Sequence, residues 1–182
     1  MTAAGGHSHA DRTAGITTLE HLVEHLAEIV LPSTIVVCVG NELCGDDGAG
    51  VAVARALAGG LPWKILDTQT VPESFLMTIV NAEPESVVLI DALDFGAAPG
   101  AVELVESDRL GGQGPSTHGP APLAFLELLN MMHPCRCAVL GIQPQCTEIG
   151  TPISQPIAAA VDMVVGAFER LAEGVSDTAA EN

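Results

Sequence analysis

The segment TIVVCVG (34–40) is β-branched, apolar on both sides of its alternation, and stops at Gly40. A strand with one wet face alternates apolar and polar residues. One that is apolar on both faces belongs inside a parallel sheet covered by helices. Similar runs recur as WKILDTQ (63–69), SVVLIDA (86–92), the most hydrophobic, and RCAVLGIQP (136–144). GAVELVE (100–106) alternates only weakly, with Val102 and Leu104 on one side, and suits an edge strand.

Helical segments separate these runs. ITTLEHLVEHLAEIV (16–30) sets Ile16, Leu19, Val23, Leu26 and Val30 at helical spacing and ends before Pro32. GAGVAVARALAGG closes at Gly59-Gly60, and Pro72 suits the first turn of a helix running to Val80. Leu123 to Met132 makes another. Ser154 is placed to cap a long helix from Pro156 to about Ala172. This alternation predicts one domain over residues 16–174, a three-layer α/β/α architecture. Its sheet is open, twisted and mostly parallel, with about five strands and helices on both faces. Residues 1–15 read as a disordered leader and 175–182 as a frayed tail.

With aromatics at 3% and no tyrosine, the core must be built from Val, Leu, Ile and Ala. Six basic residues against 23 acidic give a formal charge of −17. That field repels phosphate backbones and anionic membranes, so no nucleic-acid partner is expected; cations or a basic protein surface suit it better. No apolar run is long enough to cross a bilayer, and the N-terminus lacks the apolar stretch of a secretory signal. The expectation is a cytoplasmic protein without membrane insertion. Five cysteines do not make a disulfide framework. Cys135-Arg136-Cys137 lacks a second pair at zinc spacing, so buried structural thiols are expected, with Cys146 the one nearby candidate ligand.

In such sheets ligands bind beyond the carboxyl ends of the strands, near a topological switch point. After the first strand comes Gly40-Asn41-Glu42-Leu43-Cys44-Gly45-Asp46-Asp47-Gly48-Ala49-Gly50; after the third come Asp91 and Asp94; after the edge strand comes Ser116-Thr117-His118. Gly40 and Gly45 have P-loop spacing, but Asp46-Asp47 stand where Lys and Ser or Thr belong and would repel phosphate. No dinucleotide fingerprint follows the strand either. A carboxylate at a helix N-terminus is favoured by the helix dipole. Carboxylates with an imidazole suit a divalent cation, nickel, zinc or iron ahead of magnesium. Singly, Asp47 reads as a helix cap, Asp91 as an ordinary strand-end aspartate and His118 as a loop histidine. Their gathering on one rim is the functional signal.

The runs GNELCGDDGAG, TVPE, LIDALDFGAAPG, STH and GIQP occur in that order over residues 34–170. Together they resemble the hydrogenase maturation protease family, nearest to the subgroup serving formate-hydrogenlyase and coenzyme F420-reducing hydrogenases. The resemblance implies that Asp47, Asp91 and His118 form the metal-contacting and catalytic set. It implies an endopeptidase that removes the C-terminal extension of a nickel–iron hydrogenase large-subunit precursor after nickel insertion. The nickel is then a feature of the substrate. Two departures stand out: some members carry Glu at the position of Asp47, and the loop before TVPE commonly contains glycine where this chain has Thr68-Gln69. Water activation by a carboxylate base and by a metal-polarised carbonyl are both open.

Three other readings compete. His21-Leu22-Val23-Glu24-His25 matches the inverted zincin pattern H-x-x-E-H, which would need a third protein ligand. His7 and His9 read as an adventitious metal-binding tail. A non-catalytic metal-sensing or docking module on the same fold is the second rival, and a small-molecule hydrolase a third.

Overall fold

The computed structural model describes Ile16, residues 18–106 and residues 121–180. Five strands form one sheet: β1 (Thr34–Val39), β2 (Lys64–Gln69), β3 (Ser86–Ala92), β4 (Val102–Glu106) and β5 (Arg136–Ile142). Their spatial order is β2-β1-β3-β5-β4. The first four neighbours run parallel, and β4 lies antiparallel to β5 on the edge, as its weaker patterning predicts. Among the described residues, five α-helices cover the sheet: α1 (Leu19–Ile29), α2 (Ala49–Leu57), α3 (Leu76–Val80), α4 (Ala121–Met132) and α5 (Gln155–Ala180).

The period-two alternation of the apolar strands divides the core in two. Val36, Cys38, Val88, Ile90, Ala138 and Leu140 pack against α1, α2 and α5, with Phe168 fully buried among them. Ile35, Val37, Val87, Leu89 and Val139 face α3 and α4 through Ile79, Phe125, Leu126 and Leu129. Burying each such Leu, Ile or Phe contributes about 1.5–3 kcal/mol, so both faces of the sheet are held by similar interactions. Trp63 meets Phe168 edge-on at 6.1 Å, and its indole N–H donates to the Leu31 carbonyl at 3.0 Å.

The first helix starts later than the apolar spacing predicts. Thr18 caps it by accepting from the His21 amide, while the Ile16 amide donates to Val102 O and bridges onto the edge strand β4. Pro72–Phe75 forms a 3₁₀ turn ahead of α3, in place of a continuous helix. Helix α5 continues past Ala172 to Ala180, through most of the predicted tail. The predicted leader and the Ser116-Thr117-His118 loop lie outside the described residues. No helix among the described residues is long and apolar enough to cross a membrane.

The strand order fixes where a ligand belongs. From β1 the chain goes to β2 on one side, then returns to β3 on the other, which makes the β1/β3 boundary the switch point. Gly50 seats α2 there. A Cβ at that position would lie 2.1 Å from Val39 O and 2.8 Å from Ile90 O, so only glycine lets the helix start close over both strand ends.

Candidate active site

The loop leaving β1 is folded by its own backbone. The Gly40 amide donates to Gln69 O at 3.0 Å and the Asn41 amide to Asp47 O at 3.0 Å; the Asp47 amide donates back to Cys44 O at 3.2 Å. A side chain on Gly40 would collide with Asp47 O, its Cβ 2.1 Å away. The loop ends in a 3₁₀ turn, Gly45–Gly48, that runs directly into α2. Asp47, half-buried in this turn, is thereby held at the entrance of the helix, where the helix dipole favours a carboxylate.

Asp91 is the second member. It lies next to last in β3, only 8% exposed, and the Ala92 amide donates to its Oδ1 at 2.8 Å. Burial in the strand end raises its pKa, and the one amide bond opposes this only in part. The nearby Asp47 charge raises it further, so that Asp91 is pushed up to about 7. Two carboxylates from separate segments thus lie close enough at the switch point for one charge to be felt by the other, and Asp91 is deeply desolvated. The third predicted member, His118, lies outside the described residues.

Asp46, beside Asp47 in sequence, has a different task that sequence reasoning missed. It is fully buried, and its carboxylate accepts four hydrogen bonds. The amides of Gln145 (2.8 Å), Cys146 (2.9 Å) and Ser154 (2.6 Å) supply three, and the Ser154 hydroxyl (3.0 Å) the fourth. Its own amide donates to Cys146 O at 2.9 Å. Burial alone would raise its pKa, but the Ser154, Cys146 and Gln145 amides outweigh that and hold it below the usual carboxylate value. The Ser154 hydroxyl is therefore engaged with Asp46, where the sequence suggested a cap for α5. Asp46 rivets the loop after β5 to the loop that carries Asp47.

Asp94 and Gln143 also resolve into framework. Gln143 Oε1 accepts from the Phe95 and Ala97 amides at 2.9 and 3.1 Å, and its Nε2 donates to Asp94 Oδ1 at 3.1 Å. The GIQP run thus braces the β3–β4 connection that begins just after Asp91.

His21, Glu24 and His25 are exposed on α1, and the His25 ring is bonded to the His21 carbonyl at 2.7 Å. No three His, Cys, Asp or Glu side chains among the described residues converge as a metal site, so nothing described completes a zinc set around this pair. All five cysteines are free. Cys38 and Cys137 are buried as expected, but Cys44, Cys135 and Cys146 are only half-buried. Cys135 and Cys137 bring their sulfurs to 3.6 Å.

The model of the hydrogenase maturation protease family matches residues 51–170. The hydrogenase 3 maturation protease of Escherichia coli K12 is 31% identical over 139 residues, covering 75% of this chain and 87% of its own. A putative hydrogenase maturation protease of Methanocaldococcus jannaschii is 27% identical over 139 residues, 72% of this chain and 90% of its own. Among solved structures, the nickel–iron hydrogenase maturation protease HycI of Thermococcus kodakarensis superposes with a TM-score of 0.66 at 26% identity, over 86% of this chain and 97% of that one. The solution structure of the E. coli endopeptidase HycI gives 0.65 at 30% identity, over 75% and 89%. A five-stranded α/β sheet, with the family's model and relatives matching over this span, makes the chain a hydrolase belonging to the hydrogenase maturation protease family.

Proposed function

We propose that this protein is a cytoplasmic endopeptidase acting on a nickel–iron hydrogenase large-subunit precursor. It removes the C-terminal extension once nickel has been inserted. The observation that carries the proposal is the meeting of Asp47 and Asp91 at the β1/β3 switch point, in a chain of this family. Asp47, Asp91 and His118 would ligate the nickel that the precursor presents. Oxygen and imidazole donors suit that ion, and three protein ligands leave coordination positions for the precursor's own groups. The carboxylates then stand beside the peptide bond to be cut. Water adds to the scissile carbonyl, the C–N bond breaks, and the departing amine takes up a proton. A carboxylate at hydrogen-bond distance from that water would act as general base.

The test is the mass of the large subunit after incubation with this protein. Nickel-loaded precursor should lose one C-terminal piece and nickel-free precursor none, and Asp47→Ala or His118→Ala should lower the rate at least 100-fold. Cleavage that ignores nickel would refute nickel recognition. Binding without any cleavage would leave a non-catalytic docking module.

A further inference from the structure

Cys135 and Cys137 stand at the entrance of β5 with their sulfurs 3.6 Å apart. The contact follows from the strand period, since residues two apart point to one face. Here that face is covered by α4, with Cys137 3% exposed and Cys135 half-buried. The segment that holds them is pinned. The Cys135 amide donates to Asn130 Oδ1 at 3.0 Å and the His133 amide to Leu129 O at 2.8 Å, while the His133 ring bonds to Pro84 O at 2.9 Å. The Arg136 amide donates to Glu85 O at 3.1 Å, and its guanidinium pairs with Glu106 and donates to Glu28 O. Cys137 is fixed in the ladder opposite Val87, whereas Cys135 precedes it. The two thiols are also unequal in charge. Cys137 Sγ lies within S–H reach of Cys135 Sγ and of Cys135 O, each at 3.6 Å. The hydrogen bond from Cys137 favours the Cys135 thiolate and brings that thiol down to about 7 against the effect of burial, with help from His133. The same bond, together with burial, pushes Cys137 up. A partly exposed thiolate beside a buried thiol supplies the two parts that thiol–disulfide exchange needs, a nucleophile and a resolving sulfur.

We propose that Cys135 and Cys137 form a thiol–disulfide exchange site, in which Cys135 attacks a small-molecule disulfide and Cys137 resolves the product. In the first step the Cys135 thiolate bonds to one sulfur of the small disulfide, whose S–S bond breaks. The thiolate that leaves takes up the proton that Cys135 had given to solvent. Cys137 then loses its proton, and its sulfur attacks Cys135 Sγ and expels the second small thiol, which takes that proton. The chain gives up two electrons and two protons, and the small disulfide becomes two thiols. Closure brings the sulfurs from 3.6 Å to about 2 Å, a movement left to the Cys135 side chain because its residue lies outside the ladder. This chemistry is separate from the carboxylate rim. Gly141 stands opposite Asp91, and Cys137 lies four residues earlier, about 13 Å back along the strand. The proposal therefore stands independently of the endopeptidase reading.

The experiment incubates the reduced full chain with oxidised glutathione near neutral pH, alkylates the remaining thiols and locates them by peptide mass mapping. Wild type should show Cys135 and Cys137 joined to each other, with glutathione on neither, and dithiothreitol should free both. That measurement needs no variant. Cys137→Ser keeps a hydroxyl donor beside Cys135 but removes the resolving sulfur, so it should hold one glutathione on Cys135. Cys135→Ser removes the nucleophile and should slow the oxidation of Cys137 at least about tenfold. Alkylation of both cysteines in glutathione-treated wild type, glutathione retained on Cys135 there, or a disulfide from either one to Cys44 or Cys146 would each overturn the site. Oxidation of Cys137 at the wild-type rate in Cys135→Ser would overturn the role given to Cys135.

Discussion

Asp46 and Asp91 are the same side chain at nearly the same depth, 0% and 8% exposed, yet their surroundings use them in opposite ways. Asp46 receives four hydrogen bonds from a loop about a hundred residues away and is held ionised by them. Asp91 receives one backbone amide and faces a second carboxylate, so burial prevails and the proton is held near neutrality. The difference is one of donors, not of depth. A buried carboxylate with its lone pairs filled is a structural rivet. One left short of donors costs stability and is retained where chemistry needs it.

The largest expected effect separates these roles. Asp91→Asn should lower precursor cleavage at least 100-fold, the scale of losing a positioned acid–base group, while leaving the melting temperature unchanged or higher. Asp46→Asn should do the reverse. Its amide would direct hydrogens at donors that need an oxygen, with a loss of about 3 kcal/mol, or roughly 10 °C in Tm for a domain of this size. Thermal melts and cleavage rates on the two purified variants read both quantities. Equal destabilisation by both would erase the contrast, and full activity in Asp91→Asn would remove Asp91 from the site.

A second, smaller effect lies in the pH dependence of stability for the chelator-treated protein. The folded pKa of Asp91 lies above the unfolded value of about 3.9, so the folded state binds its proton more tightly. Its contribution is fully favourable below the unfolded pKa and is lost as pH rises through about 7. Asp46 has the opposite sign. Its folded pKa is lowered, so its contribution is present above about 3.9 and disappears as pH falls through the folded value. Wild type should therefore lose on the order of 2 kcal/mol between pH 5 and 8 that Asp91→Asn retains. Urea midpoints across that range measure it. Parallel profiles for the two proteins would mean that Asp91 ionises freely.

The contrast also marks what was legible in the sequence. The strands were, because TIVVCV, SVVLIDA and RCAVLGI are apolar on both faces and bounded by turns, so local pattern and burial agree. Asp47 and Asp91 were legible by position, each following an apolar run at the rim where such sheets bind ligands. Asp46 was not. In the sequence it is one of two adjacent aspartates, and the donors that distinguish it arrive from Gln145, Cys146 and Ser154. Ser154 was legible in part: it stands directly before α5 and its carbonyl accepts from the Ala158 amide, as at a helix cap, but a tertiary contact takes its hydroxyl to Asp46. The late start of α1 likewise reflects a partner, Val102 on the edge strand, that no local spacing reveals.

Asp67 gives the third and smallest case of a carboxylate whose use depends on its donors. At the end of β2 the register with β1 slips: Cys38 stands opposite Asp67 and Val39 opposite Gln69. Thr68 drops out of the ladder and donates its hydroxyl to Cys38 O at 2.9 Å. The chain then needs a left-handed residue, and Gln69 takes it at φ 49°. Asp67 holds the strained turn, accepting from the Gln69 amide at 3.2 Å and from its Nε2 at 2.8 and 2.9 Å. A non-glycine left-handed residue costs about 1 kcal/mol, and these exposed bonds return a similar amount. Gln69→Gly should therefore change stability by less than about 1 kcal/mol, because relief of strain is offset by a freer unfolded chain. Gln69→Ala keeps the strain and loses the bonds, and should be the least stable of the three by about 1 kcal/mol. Urea denaturation of the set measures the order, and an alanine variant equal to glycine would show that the turn is not strained as described.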